Sequence, residues 1–204
     1  LDNGQHILIG AYRETLALMR TVGADPQLLF DRRPLALTDP HGRGLVLPHG
    51  PAVPAFVRGV LAQKEWPLSE RLALLAAAVR WRLTGFRAPP QQTVADLVRA
   101  LPERARTTLI EPLCVAALNT PSSQASAQVF LRVLRDALFS GPGAADLLLP
   151  RVPLSALLPT PAVQWLHAHG AVTRWTARVQ HIEPTADARW HVDGEAFDTV
   201  LLAC

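Results

Sequence analysis

LDNGQHILIGAY, residues 1–12, decides how the rest of the chain is read. Ile7, Leu8 and Ile9 are consecutive apolar residues, two of them β-branched, and they predict a short strand. The strand is entered through Asp2-Asn3-Gly4-Gln5-His6, a run of turn-forming residues. Gly4 has no Cβ, so another group can approach the backbone there closely. Gln5 and His6 place an amide and a titratable ring at the same point. A helix is predicted over 12–22, with Tyr12, Leu16 and Met19 on one face and Gly23 just past its end. A strand feeding directly into a helix points to an α/β layer.

Working outward, the 204 residues are 49% hydrophobic, enough for one sizeable core or two small ones. The sequence does not begin with Met and closes on FDTVLLAC, which has the pattern of a strand, so it reads as an internal piece of a longer protein. The net charge of +3 does not point to nucleic acid. Lys64 is the only lysine among 20 basic residues, and the arginines are scattered without a run that would track phosphates. Two cysteines, Cys114 and Cys204, make neither a disulfide framework nor a zinc site, which fits a reduced, cytoplasmic compartment. The longest uncharged apolar run, residues 72–79, is far shorter than the ~20 residues of a membrane-spanning helix. Lying on a membrane, at its inner face, stays open.

Beyond the first helix, 35–37 and 45–47 flank a turn over 38–44 and predict a strand pair. His41 and His49 sit in these turns without acidic or Cys partners at useful spacing, so no metal site is expected. From Pro51 to Phe139 the pattern is helical. Leu68, Leu72, Leu75, Val79 and Leu83 fall on one face of a helix over 68–83. Thr93 is placed to cap a short helix, Pro112 sits in the first turn of another, and Asn119 stops it. A last long helix over 122–139 carries the stripe Val129, Phe130, Val133, Leu134, Ala137 and Leu138. Residues 141–161 read as a loop-rich return leading to a helix over 161–169. Strands are expected at 172–173, 178–183, 190–192 and 197–204, the last being a continuous apolar run of the kind found in buried parallel strands. His167 and His169, two apart at a helix end, make a poor metal pair.

No standard catalytic motif is present: there is no GxGxxG, P-loop, GxSxG, HExxH or CxxC. What points further is resemblance. LDNGQHILIGAY resembles the flavin-edge segment of the flavin-dependent amine oxidase and phytoene desaturase superfamily. PLCVAALNTP, SAQVFLRVL, the return VPLSALLPTPAVQWLHAHGAVTRWTARVQHI and the closing FDTVLLAC, in that order, resemble one branch, the hydroxysqualene dehydroxylases of bacterial hopanoid synthesis.

The resemblance implies an α/β fold (α+β within this piece): part of a Rossmann-like FAD-binding domain carrying a large helical substrate-domain insertion. Residues 1–50 would belong to the FAD-binding domain and the start of the substrate domain, 51–150 to the helical insertion, and 151–204 to the return. By motif, Gly4 would let the flavin ring approach and Gln5 would line it, while Val179, first in the pattern V-x-x-I, would bond the adenine through its backbone. His6 stands where amine oxidases often carry an aromatic residue, which argues against amine oxidation. It would protonate the leaving hydroxyl of an allylic alcohol, or orient the acid that does, a contribution of typically ~10²–10⁴ in rate. The alternative, a histidine bonding backbone in a tight turn, stays open.

The implied activity is reductive removal of the hydroxyl of hydroxysqualene by an FAD enzyme of which this piece alone is inactive and does not retain FAD. The implied partners are an isoprenoid lipid and, peripherally, the membrane, with a tunnel for the hydrocarbon through the helical insertion. An open strand edge would favour a dimer. Two other readings stand beside it: a carotenoid desaturase of the phytoene type, working in the opposite redox direction, and a non-enzymatic lipid-binding module.

Overall fold

A computed structural model describes residues 7–38 and 44–203. Helix and strand are mixed, 44% and 14%, as expected for an α+β chain. The chain divides into two compact units, Leu1–Ala162 and Val163–Cys204.

The first unit is built on a three-stranded antiparallel sheet. Strand β1 (Leu8–Ile9) leads into helix α1 (Arg13–Thr21), as the opening stretch predicts. Leu16 and Met19 are the buried residues of α1, whereas Tyr12 is exposed at its N-cap. Gly23 ends the helix at φ 82°, with its N–H donating to Arg20 and the next N–H, of Ala24, donating to Met19. A left-handed residue and this bond pair satisfy carbonyls that the helix leaves open. Asp25 caps a short helix α2 (Pro26–Leu29), which passes into strand β2 (Phe30–Arg33).

The sheet's central strand arrives much later. Strand β5 (Leu147–Pro150) lies between β1 and β2, pairing Leu8 with Leu148 and Phe30 with Pro150. The return over 141–161 is therefore not loop alone: its apolar run LLLP forms the strand that holds the sheet together. Arg32 fixes the junction, its Nε donating to Asp146 Oδ2 at 2.7 Å and its Nη2 to the Gly143 carbonyl at 2.7 Å. Leu16, Met19, Phe30, Leu148 and Leu157 form a small core beside this sheet.

Between β2 and β5 the chain makes the expected hairpin, β3 (Ala36–Thr38) with β4 (Gly44–Val46), pairing Leu37 with Leu45. It then enters the helical layer: α3 (Ala52–Leu61), α4 (Leu68–Leu83), α5 (Val94–Leu97), α6 (Glu103–Ala105), α7 (Glu111–Leu118) and α8 (Ala127–Leu138). A π-helical turn, Arg106–Ile110, joins α6 to α7 and ends just before Pro112, which has no N–H to continue a regular ladder. Asn119 ends α7 in the left-handed conformation, φ 49°, as expected of a stopping residue. Phe56, Leu74, Trp81, Phe130, Leu131 and Leu134 are among the residues of the large core these helices enclose.

Two helical faces differ from expectation. In α4 the buried residues are Leu74, Ala77, Ala78 and Trp81, whereas Leu68, Leu72, Val79 and Leu83 are 52–82% exposed. The alanines let a neighbouring helix come close and Trp81 supplies the contact area, so this face wins over the leucine stripe. In α8, Leu131 is fully buried and Val129 half exposed, which rotates the inward face slightly from the predicted stripe.

Thr93 caps α5 as predicted. Its hydroxyl accepts from the Asp96 N–H at 3.1 Å, and it donates to Asp96 Oδ2 through its hydroxyl at 2.8 Å and its own N–H at 3.3 Å. These bonds from Thr93, side chain first, hold the Asp96 carboxyl below the ordinary carboxylate range, with Arg99 adding to the effect. A depressed folded-state pKa contributes stability above the unfolded value of about 3.9, and that contribution is lost as pH falls through the folded value. Thr93→Ala is expected to move the Asp96 titration up toward the ordinary carboxylate range, read from its side-chain carboxyl carbon by NMR.

In the second unit, strands β6 (Ile182–Pro184), β7 (Trp190–Val192) and β8 (Glu195–Phe197) form an antiparallel meander. Asp193 and Gly194 make its tight turn, both at positive φ. Residues 172–173 and 178–181 are not strand, and the run 198–203 forms no parallel strand: Leu201 is 91% exposed. A continuous apolar run becomes a buried strand only when both faces are covered, and among the described residues no strand pairs with this one. Helix α9 (Pro159–Ala168) ends near Gly170, with His169 stacked on Trp165 at 3.8 Å between centroids and His167 Nε2 2.7 Å from the Thr173 hydroxyl. Both histidines are helix-end residues with protein partners.

Candidate functional site

The structure's most distinctive chemical feature is an interior seam without polar lining. Leu37 and Leu45 from the hairpin, Phe56 from α3, Trp81 from α4, Ile110 from the π turn and Leu134 from α8 are among the side chains that converge on it. The void is only about 20 Å³, room for one water at most, and its walls are almost wholly apolar. A pocket for a drug-sized ligand is about 300–1,000 Å³. The seam is therefore closed, packed core rather than an open tunnel.

On its outer side, between α3 and α4, lies an apolar groove of about 280 Å³ lined by Val53, Val57, Leu75 and Val79, with Arg82 at its edge. Phe56, Ala78 and Phe139 belong to both groove and seam, so they form the wall between them. The Phe139 ring lies 6.3 Å from Phe56 and 5.1 Å from Phe86, both tilted, as aromatic pairs prefer. Sequence reading did not single out Phe56 or Phe139; the signal was an aromatic at the end of the α8 stripe.

Trp81 is buried, and its indole N–H has no hydrogen-bond partner. It lines both the seam and an open cleft of about 550 Å³ that carries Arg80, Arg87 and Arg99. Cys114 is fully buried, and burial, with Glu111 nearby, pushes its thiol pKa up, so it is a core residue rather than a nucleophile. Among the described residues no group of three or more His, Cys, Asp and Glu is arranged to hold a metal.

Gly4, Gln5 and His6 lie outside the described residues. Val179 is described and 51% exposed, on a stretch that pairs with no strand. The next two N–H groups, of Gln180 and His181, are taken by the Asp193 carboxylate at 2.8–3.2 Å. Val179 on this unpaired stretch does not by itself enclose a dinucleotide, and an FAD site would need Gly4, Gln5 and further segments beside it.

No family model matches the chain. It is 26% identical, over 92% of its length, to a protein of Rhodopseudomonas palustris named hydroxysqualene dehydroxylase. A protein of the same name from Sinorhizobium fredii is 34% identical over 79 residues, 39% of this chain. The chain spans less than half the length of these curated relatives, 44% of the first and 19% of the second. The resemblance visible in LDNGQH and AALNTP thus extends over nearly the whole sequence: the chain is similar to hydroxysqualene dehydroxylases.

Proposed function

We propose that this chain is the substrate-domain portion, with flanking parts of the cofactor domain, of an FAD-dependent oxidoreductase that removes the hydroxyl of hydroxysqualene to give squalene. The observation that carries the reading is similarity over 92% of the chain to a protein of that name. The apolar lining of the seam suits a hydrocarbon, whose accommodation requires the seam to open. In this reading the seam opens from the groove side, where Phe56 and Phe139 form the wall. The full-length protein binds FAD, with Gly4, Gln5 and Val179 contributing, and works on the cytoplasmic side. The piece on its own is inactive.

The test is the visible absorption spectrum of the full-length protein, followed by anaerobic turnover of hydroxysqualene. A flavin band and squalene formation are expected. His6→Ala should keep the flavin band and lose roughly 10²–10⁴ in turnover if His6 serves as general acid. Absence of a flavin band even after FAD is added would overturn the enzyme reading and leave a lipid-binding module. Desaturation of a carotenoid precursor without squalene formation would move the activity to the phytoene type.

A further inference from the structure

We infer that the outer face of α4 is a docking surface for an anionic lipid bilayer, and that the α3–α4 groove opens onto that bilayer. Leu68, Leu72, Val79 and Leu83 recur at helical spacing and all face outward. Four large aliphatic side chains in one stripe are not the singly scattered apolar residues of an ordinary surface. Leu61, at the end of α3, is also exposed.

Charge selects the occupant. At 3.6 residues per turn, Arg80 flanks the stripe on one side and Arg82 on the other, while Arg71, beside Arg82, turns back to donate to the Leu61 carbonyl at 2.7 Å. The helix's only acid, Glu70, lies on the opposite side, toward the buried residues. On Arg80's side the 550 Å³ cleft adds Arg87 and Arg99, against which the same cleft sets only Asp96. An apolar stripe between arginines, with no acid on its face, matches the boundary between acyl chains and anionic headgroups. A second copy of this chain would have to bring arginine against arginine.

The stripe is continuous with the groove, because Val79 belongs to both, and the groove's inner wall is the wall of the seam. A hydrocarbon leaving the bilayer at Val79 would meet apolar surface throughout. This second half of the inference rests on the reading that the protein acts on a long isoprenoid; the docking surface itself does not.

The experiment is flotation of the full-length protein with phosphatidylethanolamine vesicles that contain or lack phosphatidylglycerol. Binding is expected only with phosphatidylglycerol. It should weaken by about 10-fold or more in Leu72→Glu/Leu83→Glu, whose leucines no longer enter the acyl boundary. Both positions are exposed and outside the groove, so the circular dichroism melt should not move. Leu28→Glu, at an exposed leucine on α2, should float like the wild type. The inference is overturned if the double variant floats like the wild type, if the wild type floats with neither vesicle, or if Leu28→Glu loses as much. It is equally overturned if the double substitution turns a dimer into a monomer in sedimentation velocity, since a second copy would then cover the stripe. Turnover of detergent-dispersed hydroxysqualene should survive the double substitution. Failure of the wild type to turn it over overturns the functional reading while leaving the flotation result standing.

Discussion

Phe130→Ala is expected to lower the unfolding free energy by about 3–5 kcal/mol. Phe130 is fully buried at the end of the first turn of α8, which packs against α3, α5 and α7. Truncation removes the transfer free energy of the ring and leaves a cavity that three helices cannot collapse into without giving up their other contacts. A domain's whole stability is of order 5–15 kcal/mol, so the loss is a large fraction of it. A urea titration should show a lower midpoint with an unchanged slope. Val129→Ala, one residue earlier and half exposed, should cost well under half as much. Equal effects at the two positions would mean that α8 is not oriented as described.

Gly10→Ala is the second large effect, and its cause is backbone rather than side chain. A Cβ on Gly10 would stand 2.0 Å from the Gly143 carbonyl oxygen and 3.0 Å from its carbon. No rotamer change relieves a clash between a Cβ and main chain. The segment before α1 must therefore move away from the loop before β5. That movement gives up the bond from the Gly10 N–H to the Asp146 carbonyl, 2.9 Å, and disturbs the Arg32 contact with Gly143. The expected cost is about 3 kcal/mol or more, at the upper end of overpacking. Hydrogen exchange should localise it, with loss of protection at Gly10 and along β1. Gly23→Ala provides the contrast: nothing lies within 4 Å of its Cβ position, so only the strain of φ 82° remains, about 1–2 kcal/mol.

Local chemistry was the part of this fold legible in the sequence. The β3–β4 hairpin, the extent of α4, the Thr93 cap, the Asn119 stop and the Asp193-Gly194 turn each depend on a few adjacent residues, and each was readable. The face of α4 was not, because the helix is apolar nearly all round. Leucines on one side and Leu74, Ala77, Ala78 and Trp81 on the other give periodicity no way to choose. Strand β5 was hidden among prolines, and only its partners, more than a hundred residues away, reveal it. The candidate site divides in the same way. Motif resemblance marked Gly4, Gln5, His6 and Val179, whereas the seam and its Phe56–Phe139 wall arise from many elements meeting, which no single stretch encodes.

The placement of β5 between β1 and β2 has a consequence for how such a chain diversifies. The sheet is closed by Arg32 and Asp146, 114 positions apart, so everything between them behaves as one excursion leaving and rejoining a fixed frame. The entropy of closing such an excursion grows only logarithmically, and doubling its length costs roughly 0.6 kcal/mol. Helices can be lengthened, added or exchanged there while the frame stays intact. The helical layer and its apolar seam can thus be rebuilt with little effect on the strands that anchor them.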